Sequence, residues 1–322
     1  MRYIFASVAV FLFFVLTVGE VSAAPLGSTG KEADFSLLPT QPIFSTDVDI
    51  FLGQKRRRGG GGRVWANTYY ADTTLKPVQG GRIDPRLYGF QVGFDLAQSH
   101  GVYSTFFLNV NQSKIKFGEE FDGGSSKADN YLLGYGKYVY WSMCHFAFAG
   151  SIGYDQYEVT KDTTGTGNGL QMNFFGEFGL DFILGKWAIK PFYALQYDFL
   201  YHGNIGQTPI GDWNGHGMQQ LFGLRLNWKP THILELQSRS IWVHEMLDNP
   251  PPFYRVRFSP MHGISTPAIM FHEGSTGRDW AWLGVGAKLE GVFNVYLFLD
   301  YDVLLNERHI THIGSLGLCF GW

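Results

Sequence analysis

The sequence is poor in charge, and beyond its N-terminus it has no apolar run long enough for a spanning helix. Charged residues make up 16% of the chain, whereas about 25% is usual in soluble domains. The net charge is −3, and the one basic cluster, Lys55 to Arg58, leads directly into a run of glycines. These features disfavour an ordinary soluble domain and a nucleic-acid-binding protein.

Cysteine is also scarce, with only Cys144 and Cys319, far apart in the chain. The sequence contains no Cys-x-x-Cys pair and no Cys/His spacing typical of a metal site. We therefore expect no metal ion and no cofactor. An oxidising compartment would permit a disulfide between the two thiols. Two separate free thiols fit the sequence at least as well.

The N-terminus has the features of an export signal. Arg2 precedes an apolar run from Ile4 to Val18, and the small residues of Val21-Ser22-Ala23 form a cleavage site. The run is too short for a spanning helix, and a retained membrane anchor is the alternative. We predict a signal peptide over residues 1–23, followed by a mature N-terminal segment and linker over residues 24–62.

Aromatic residues make up 17% of the chain, and in many segments apolar and polar residues alternate. In residues 170–184 the even positions are apolar or Gly, and the odd positions include Gln171, Glu177 and Asp181. Period two is typical of a strand between two environments. Twelve such runs are predicted, at 63–73, 85–97, 102–117, 128–141, 143–160, 168–184, 187–201, 217–228, 232–247, 279–289, 292–304 and 308–322.

The lengths of the runs and of their connections indicate the two environments. The predicted runs have 11–18 residues, whereas strands of soluble proteins usually have only about 5–6. Connections are short after even-numbered runs, as at Gly185-Lys186, and most are long after odd-numbered runs, as at Asp248–Arg278. Outer-membrane barrels have short periplasmic turns and long outer loops. We therefore predict an all-β transmembrane antiparallel β-barrel of about 12 strands, in contact with outer-membrane lipid, with a soluble β-sandwich as the alternative.

The last residues predict how the barrel ends. Ser315, Gly317, Phe320 and Trp322 fit a final strand with an apolar outward face and a terminal aromatic ring at headgroup level. The pattern also resembles the C-terminal signal by which outer-membrane barrels are recognised for assembly. We expect the barrel-assembly machinery as a partner, and a monomeric barrel.

Parity assigns nine ionisable side chains to the inside of the barrel. They could line a weakly selective aqueous path. Alternatively, they pair across neighbouring strands and fill the interior. Because the lipid face excludes charge, we expect Phe178→Arg to be more damaging than Glu177→Arg. The nine residues are Glu177, Asp181, Lys190, Asp198, Arg225, Glu235, Arg239, Asp300 and Asp302.

The sequence offers no catalytic site. A nucleophile needs a base and an orienting group within hydrogen-bond reach, and no Gly-x-Ser-x-Gly turn is present. His309 and His312 are three apart in a run, so they face opposite sides. We predict no enzymatic activity and assign no catalytic residue, with an outer-membrane hydrolase as one alternative. The connection Asp248–Arg278, strand-like in its second half, suggests another alternative: a surface adhesin or anchor acting through its loops.

Several segments, in order, carry a likeness to one family. They are Val64-Trp65, the Gly-x-Gln-x-Gly-x-Asp strand of Gly89–Asp95, the Trp-x-x-Glu strand of Arg239–Glu245, Leu299–Asp302 and the ending His312–Trp322. Over residues 63–322 the chain resembles the translocator β-barrel of autotransporters, the type V secretion β-domain. The resemblance implies a twelve-stranded barrel whose pore carries a helix linked to an exported passenger. Because only residues 24–62 precede the barrel, we predict a translocator or pore with little or no passenger.

Overall fold

Long antiparallel strands account for almost all of the residues that the computed structural model describes. Those residues are 37–39, 62–75, 83–99, 102–117, 125–160, 164–203, 213–249, 254–256, 267–271, 279–291, 295–305 and 309–321. They belong to one unit, residues 33–322. No helix in these ranges is long and apolar enough to span a membrane. The predicted signal peptide lies outside the described residues and stays a prediction.

Twelve strands follow one another around a closed sheet. They are β1 (Gly62–Leu75), β2 (Ile83–Ser99), β3 (Val102–Phe117), β4 (Ser125–Trp141), β5 (Cys144–Thr160), β6 (Thr164–Leu180), β7 (Trp187–His202), β8 (Trp213–Trp228), β9 (Leu234–Asn249), β10 (Asp279–Glu290), β11 (Val295–Leu305) and β12 (His309–Gly321). After Asp181, β6 continues as Phe182–Leu184, which still pairs with β7.

The sheet closes where the last strand meets the first. Strand β12 pairs antiparallel with β1 along its whole length, from His309 opposite Leu75 to Gly321 opposite Arg63. Within this seam the hydroxyls of Thr73 and Thr311 are hydrogen bonded at 2.9 Å. The predicted closed antiparallel barrel is therefore confirmed.

Some predicted strand limits are wrong. Strand β6 begins at Thr164 and not at Asn168, and β8 begins at Trp213 and not at Gly217. These first residues are rich in Gly, Thr and Asn, so they show no apolar alternation, yet their backbones pair with the neighbouring strand. Backbone pairing thus extends the strands beyond the part that hydropathy can detect.

Alternate side chains face opposite sides of the wall. Leu133 and Leu299 are exposed by 61% and 57%, whereas their neighbours Leu132 and Asp300 are exposed by only 1% and 2%. The outer face is apolar, and the inner face mixes polar residues with large rings. The two faces of each strand therefore differ in polarity, and the apolar outer face is suited to contact with lipid.

Tryptophans mark the end at which the short turns lie. Trp141, Trp187 and Trp228 are exposed there, and the rings of Trp187 and Trp228 stack at 5.4 Å. The nearby turn is made at Gly185, whose φ of 61° suits glycine. Short turns face the periplasm in outer-membrane barrels, so we call this end the periplasmic end.

Inside the barrel, large side chains lie over glycines of the adjacent strand. A Cβ on Gly93 would collide with the Trp65 ring, and one on Gly134 with the Phe107 ring. Both rings are buried, so the missing Cβ atoms provide the space in which they pack. The glycines therefore allow a wall of large residues to fit within a narrow barrel.

Three short segments form a second sheet. Leu37–Pro39 pairs with Pro267–Phe271, which in turn pairs with Tyr254–Val256. The last two segments belong to the connection between β9 and β10. The strand-like interpretation of the second half of that connection is confirmed for Pro267–Phe271. Leu37–Pro39 also lies close to β3, β4 and β5.

Candidate functional site in the barrel interior

The nine ionisable residues predicted for the interior all lie on the inward face of the wall, with exposed fractions between 1% and 9%. They come from β6 to β11 and from Asp181, just after β6, so they occupy one side of the barrel. Most of them meet in two clusters. Each cluster joins side chains from three different strands.

The first cluster is built around Glu177. Arg225 of β8 donates two hydrogen bonds to its carboxylate, at 2.7 and 2.8 Å. His145 of β5 lies 3.0 Å from Glu177 through Nε2 and 3.2 Å from Asp181 through Nδ1. The Arg225 guanidinium also stacks on the Phe192 ring at 3.9 Å. Strands β5, β6 and β8 are thereby joined by charged hydrogen bonds.

The second cluster is built around Arg239 of β9. Its guanidinium donates to Asp302 at 2.6 and 2.8 Å and to Asp300 at 3.1 Å. Trp282 donates to Asp302 at 2.9 Å, and Gln237 donates to Asp300 at 2.7 Å. The bonds from Arg239 and Gln237 cross strand β10, which lies between β9 and β11, whereas Trp282 donates from β10 itself.

Glycine makes this crossing possible. Gly284 of β10 stands in register between Arg239 and Asp302, and Gly286 stands between Gln237 and Asp300. A Cβ on Gly284 would collide with both Asp302 and Arg239. The side chains can bridge two strand spacings only because the strand between them has no side chain at that point.

The cations of the two clusters lie on adjacent strands. Arg225 and Arg239 are direct partners in the register of β8 and β9. Like charges directly opposite each other are destabilising, so each arginine depends on its own carboxylates. Charge pairing across strands, the second of the two predicted arrangements, is what the geometry supports for these residues.

The other three predicted residues are Glu235, Asp198 and Lys190. Glu235 accepts a hydrogen bond from Asn227 at 2.7 Å and lies 2.9 Å from Lys229. Asp198 accepts a weak bond from Gln196 at 3.5 Å. Lys190 is buried and stands opposite Arg225 in the register of β7 and β8.

Sequence reasoning missed two buried charge sites. His145 was not singled out, although it joins two of the predicted carboxylates. Arg63, the first residue of the first predicted strand, is missing from the nine predicted interior residues, yet it is buried and pairs with Asp95 of β2, which also accepts a bond from Trp65 at 3.1 Å. The inward parity of both residues was the available signal.

Elsewhere in the interior, uncharged amides face inward. Asn111, Asn130 and Gln171 are buried on β3, β4 and β6, and we call them the amide group. Neither amide atom of Asn130 or of Gln171 has a hydrogen-bond partner among the described residues. Unmet polar atoms at full burial are costly, so these amides are suited to a polar occupant of the interior.

The residues of the predicted C-terminal signal lie in β12. Ser315 and Gly317 face inward, and Gly317 lies beneath the Phe298 ring. Phe320 faces outward and is half exposed. Trp322 lies outside the described residues. Cys144 and Cys319 are free thiols.

Among the described residues, no group of three or more His, Cys, Asp or Glu side chains could hold a metal ion. His145 is the buried histidine of the first cluster, and its ring nitrogens face two carboxylates. The inner wall therefore combines clusters of structural ion pairs with buried amides.

Comparison with known proteins places this barrel in a family. No curated protein matches the sequence. Among solved structures, the chain is similar to the translocator domain of the autotransporter NalP from Neisseria meningitidis, with a TM-score of 0.67 and 15% identity, covering 86% of this chain and 94% of that one. It is also similar to the β-domain of the Bordetella autotransporter BrkA, with a TM-score of 0.61 and 14% identity, covering 81% and 99%.

A third similar structure is the transport unit of the autotransporter AIDA-I from Escherichia coli, with a TM-score of 0.61 and 13% identity, covering 87% of this chain and 99% of that one. At these identities the structures show the fold alone. The family model for the autotransporter β-domain matches residues 64–302, which is most of the barrel. The chain therefore belongs to the autotransporter β-domain family and is an outer-membrane translocator barrel.

Proposed function

We propose that the barrel interior is the route of an extended polypeptide, and that the segment preceding β1 occupies it. The observation that carries the proposal is the pairing of Leu37–Pro39 with Pro267–Phe271. The first segment precedes the strand that begins at the periplasmic end. The second belongs to the connection that leaves the opposite end of the barrel.

The topology restricts how these segments can meet. Strand β1 starts at Gly62, beside the end of β12, whereas β9 and β10 are joined at the other end. Backbone with unpaired polar groups does not cross lipid on the outside of a barrel. The upstream segment must enter the interior, or the connection between β9 and β10 must fold into it. Either arrangement fills the interior with extended chain.

The chain is long enough for passage through the barrel. Residues 40–61 lie between Pro39 and Gly62 and can extend to about 75 Å. Strand β1, with 14 residues, is about 46 Å long. The segment can therefore run the full length of the wall and still reach the outer connection.

The amide group supplies a suitable inner surface. Leu37–Pro39 lies near β3, β4 and β5, and two of these strands carry Asn111 and Asn130. Asparagine and glutamine amides both donate and accept, as a passing peptide backbone does. Their hydrogen bonding requires no particular side chain on the occupant, which suits a route for polypeptide.

A disulfide cross-link tests the proposal. Leu38 is the direct partner of Ala268, and directly paired strand residues are within disulfide range. In a background of Cys144→Ser and Cys319→Ser, the pair Leu38→Cys and Ala268→Cys should cross-link in intact outer membranes. The control pairs Leu38→Cys with Leu289→Cys, on the lipid face near the periplasmic end. No cross-link in the first pair, or equal cross-linking in both, would refute the proposal.

We further propose that the barrel performs no covalent chemistry. A general base needs a free ring nitrogen within reach of a nucleophile. Both ring nitrogens of His145, the buried histidine of the interior, are occupied by Glu177 and Asp181. Loss of a hydrolytic activity on changing His145→Gln, in a barrel that remains folded, would contradict this.

The proposed partner in assembly is the barrel-assembly machinery, which would bind β12. The support is the position of this strand: it makes the closing seam, so its outer edge is free until β1 is paired. We also propose a monomer, because closure leaves each of the twelve strands paired on both sides. Equilibrium sedimentation in detergent would test the monomer.

A further inference from the structure

Three cations stand side by side on the outer face of the barrel, toward the end opposite the short turns. Arg86 of β2 is the direct partner of Lys114 of β3, and Lys114 is the direct partner of Lys127 of β4. All three belong to the outward set of positions, the set that carries the exposed apolar side chains. We call these three residues the cation row.

The cation row is costly in the barrel alone. Directly opposite like charges on neighbouring strands repel, and the row contains two such pairs. Arg86 is near Asp72 at 3.4 Å, and Lys127 is bound to Asp129 at 2.8 Å. Lys114, between them, forms no hydrogen bond or ion pair with the described residues. An anion placed at Lys114 would relieve both repulsions.

The row lies at the height of lipid headgroups. Lys127 and Lys137 both face outward on β4 and are 10 residues apart. This is about 33 Å along the strand and, at a tilt of about 40°, about 25 Å along the membrane normal. That is the usual height of the apolar band. The spacing of Lys127 and Lys137 therefore matches the height of this band.

Directly below the row, outward-facing Tyr88, Gln112 and Asp129 are hydrogen bonded to one another across β2, β3 and β4, and below them the outward face is apolar. Phe90, Val110 and Tyr131 lie on β2, β3 and β4 below the row and are exposed by 50%, 38% and 45%. Acyl chains cover such a surface in the membrane. The groups that reach the cation row are therefore the headgroups of those same lipids, on the side away from the periplasm.

The charge is confined to one side of the barrel. At the corresponding outward positions of β8 to β12, the described residues include histidines such as His216, His244 and His312 but no lysine or arginine. At the ends of the row, Asp72 stands beside Arg86, and Glu158 stands opposite Lys127. These carboxylates limit the anion site to the width of the row.

We propose that the cation row binds the phosphate groups of an outer-leaflet lipid, with Lys114 at the centre of the site. The ligand is a phosphorylated lipid whose acyl chains lie on Phe90, Val110 and Tyr131. Arginine can bind phosphate in a bidentate way and lysine as a point charge, so the row supplies both modes.

Binding of bis-phosphorylated lipid A to the full chain in neutral detergent tests the proposal. Each juxtamembrane cation contributes about fivefold to the affinity for an anionic surface. Lys114→Gln should therefore weaken binding about fivefold, and the triple change of Arg86, Lys114 and Lys127 to Gln should weaken it more than tenfold. The matched control is Lys137→Gln, an outward cation at the periplasmic margin, which should leave binding unchanged.

Gel mobility of unheated samples ensures that only folded variants are compared. Unchanged affinity in the triple variant, or an equal loss in Lys137→Gln, would overturn the proposal. Equal binding of a fully dephosphorylated lipid A would show that acyl chains alone are recognised. Competition by inorganic phosphate at the concentration of the lipid would assign the row to free phosphate and overturn the lipid assignment.

Discussion

At the scale of single residues, the strongest constraint is the direct cross-strand pairing of two buried arginines. Arg225 and Arg239 face each other, and Glu177 neutralises the first of them. We expect Glu177→Gln to lower the free energy of unfolding by about 3–5 kcal/mol, because it leaves a buried cation without its partner. Urea unfolding of the detergent-solubilised barrel measures this. The control Glu158→Gln, at an exposed site, should cost about 0.5 kcal/mol or less; similar losses would contradict the prediction.

The lipid face predicts a second effect at this scale. Phe178 faces outward on β6 and packs on Phe146, with ring centroids 5.0 Å apart. Phe178→Arg should cost about 2–4 kcal/mol near the midplane, because lipid does not solvate the charge. Gln171→Arg, on the inward face of the same strand, should cost less, since Asp155 lies on the neighbouring strand. The same unfolding assay compares them, and the reverse order would mean that the faces are misassigned.

The ion pair also reverses one expectation from the sequence. Parity alone predicts that Glu177→Arg is milder than Phe178→Arg. In the structure a cation at position 177 would face the Arg225 guanidinium, where the carboxylate now accepts two hydrogen bonds. We therefore expect Glu177→Arg to be at least as damaging. Parity identifies the face of a side chain but not the residue it meets.

At the scale of strands, β10 acts as a narrow spacer between its neighbours. Gly284→Val should lower the free energy of unfolding by at least about 3 kcal/mol, because its Cβ would displace Arg239 or Asp302 from their ion pair. Gly176 of β6 faces outward with no atom within 4 Å of an added Cβ. Gly176→Val should therefore change the stability by about 1 kcal/mol or less. Equal losses in the two variants would mean that the ion pair bridging β10 contributes nothing to the stability of the barrel.

The final strand predicts an effect on assembly. Removing Trp322 should reduce the amount of barrel in outer-membrane fractions, because the terminal aromatic residue belongs to the proposed signal in β12. Immunoblotting of fractionated membranes measures this amount. Trp141→Phe, which changes an exposed ring of the periplasmic girdle outside β12, serves as the control. Normal levels of the truncated chain would count against the signal.

Strand number, faces and connection lengths could be predicted from the sequence, because alternation and turn chemistry are local. The partners of His145 could not. A shift of two residues between neighbouring strands keeps every side chain on its own face, so hydropathy cannot distinguish the registers. The shear of the closed barrel selects one of them, and shear is a property of all twelve strands together. Arg63 was missed because it is the first side chain after a glycine run, where alternation has not begun.

At the scale of the whole molecule, closure predicts resistance to detergent. The unheated barrel should migrate differently from the boiled chain on a detergent gel, because every strand is paired on both sides. An identical mobility of the two samples, with the chain soluble after export, would contradict the membrane barrel.

The occupied interior gives a prediction for the conducting state. Deleting residues 24–39 should increase the single-channel conductance in planar bilayers, because it removes the segment that pairs with Pro267–Phe271. Replacing residues 40–55 with a Gly/Ser segment of equal length keeps the chain long enough for that pairing and should have a smaller effect. Identical conductance in both variants would indicate that the segment does not obstruct the interior.

The seam between β1 and β12 has a consequence for the order of folding. Thr73 and Thr311, hydrogen bonded in the seam, are 238 residues apart in the chain. One edge of β1, the first strand to be synthesised, therefore stays unpaired until β12, the last strand, has been synthesised. Contacts this distant in sequence form slowly, and an unpaired edge is a site of aggregation in the meantime. The time during which β1 must be shielded is thus set by the length of the whole domain.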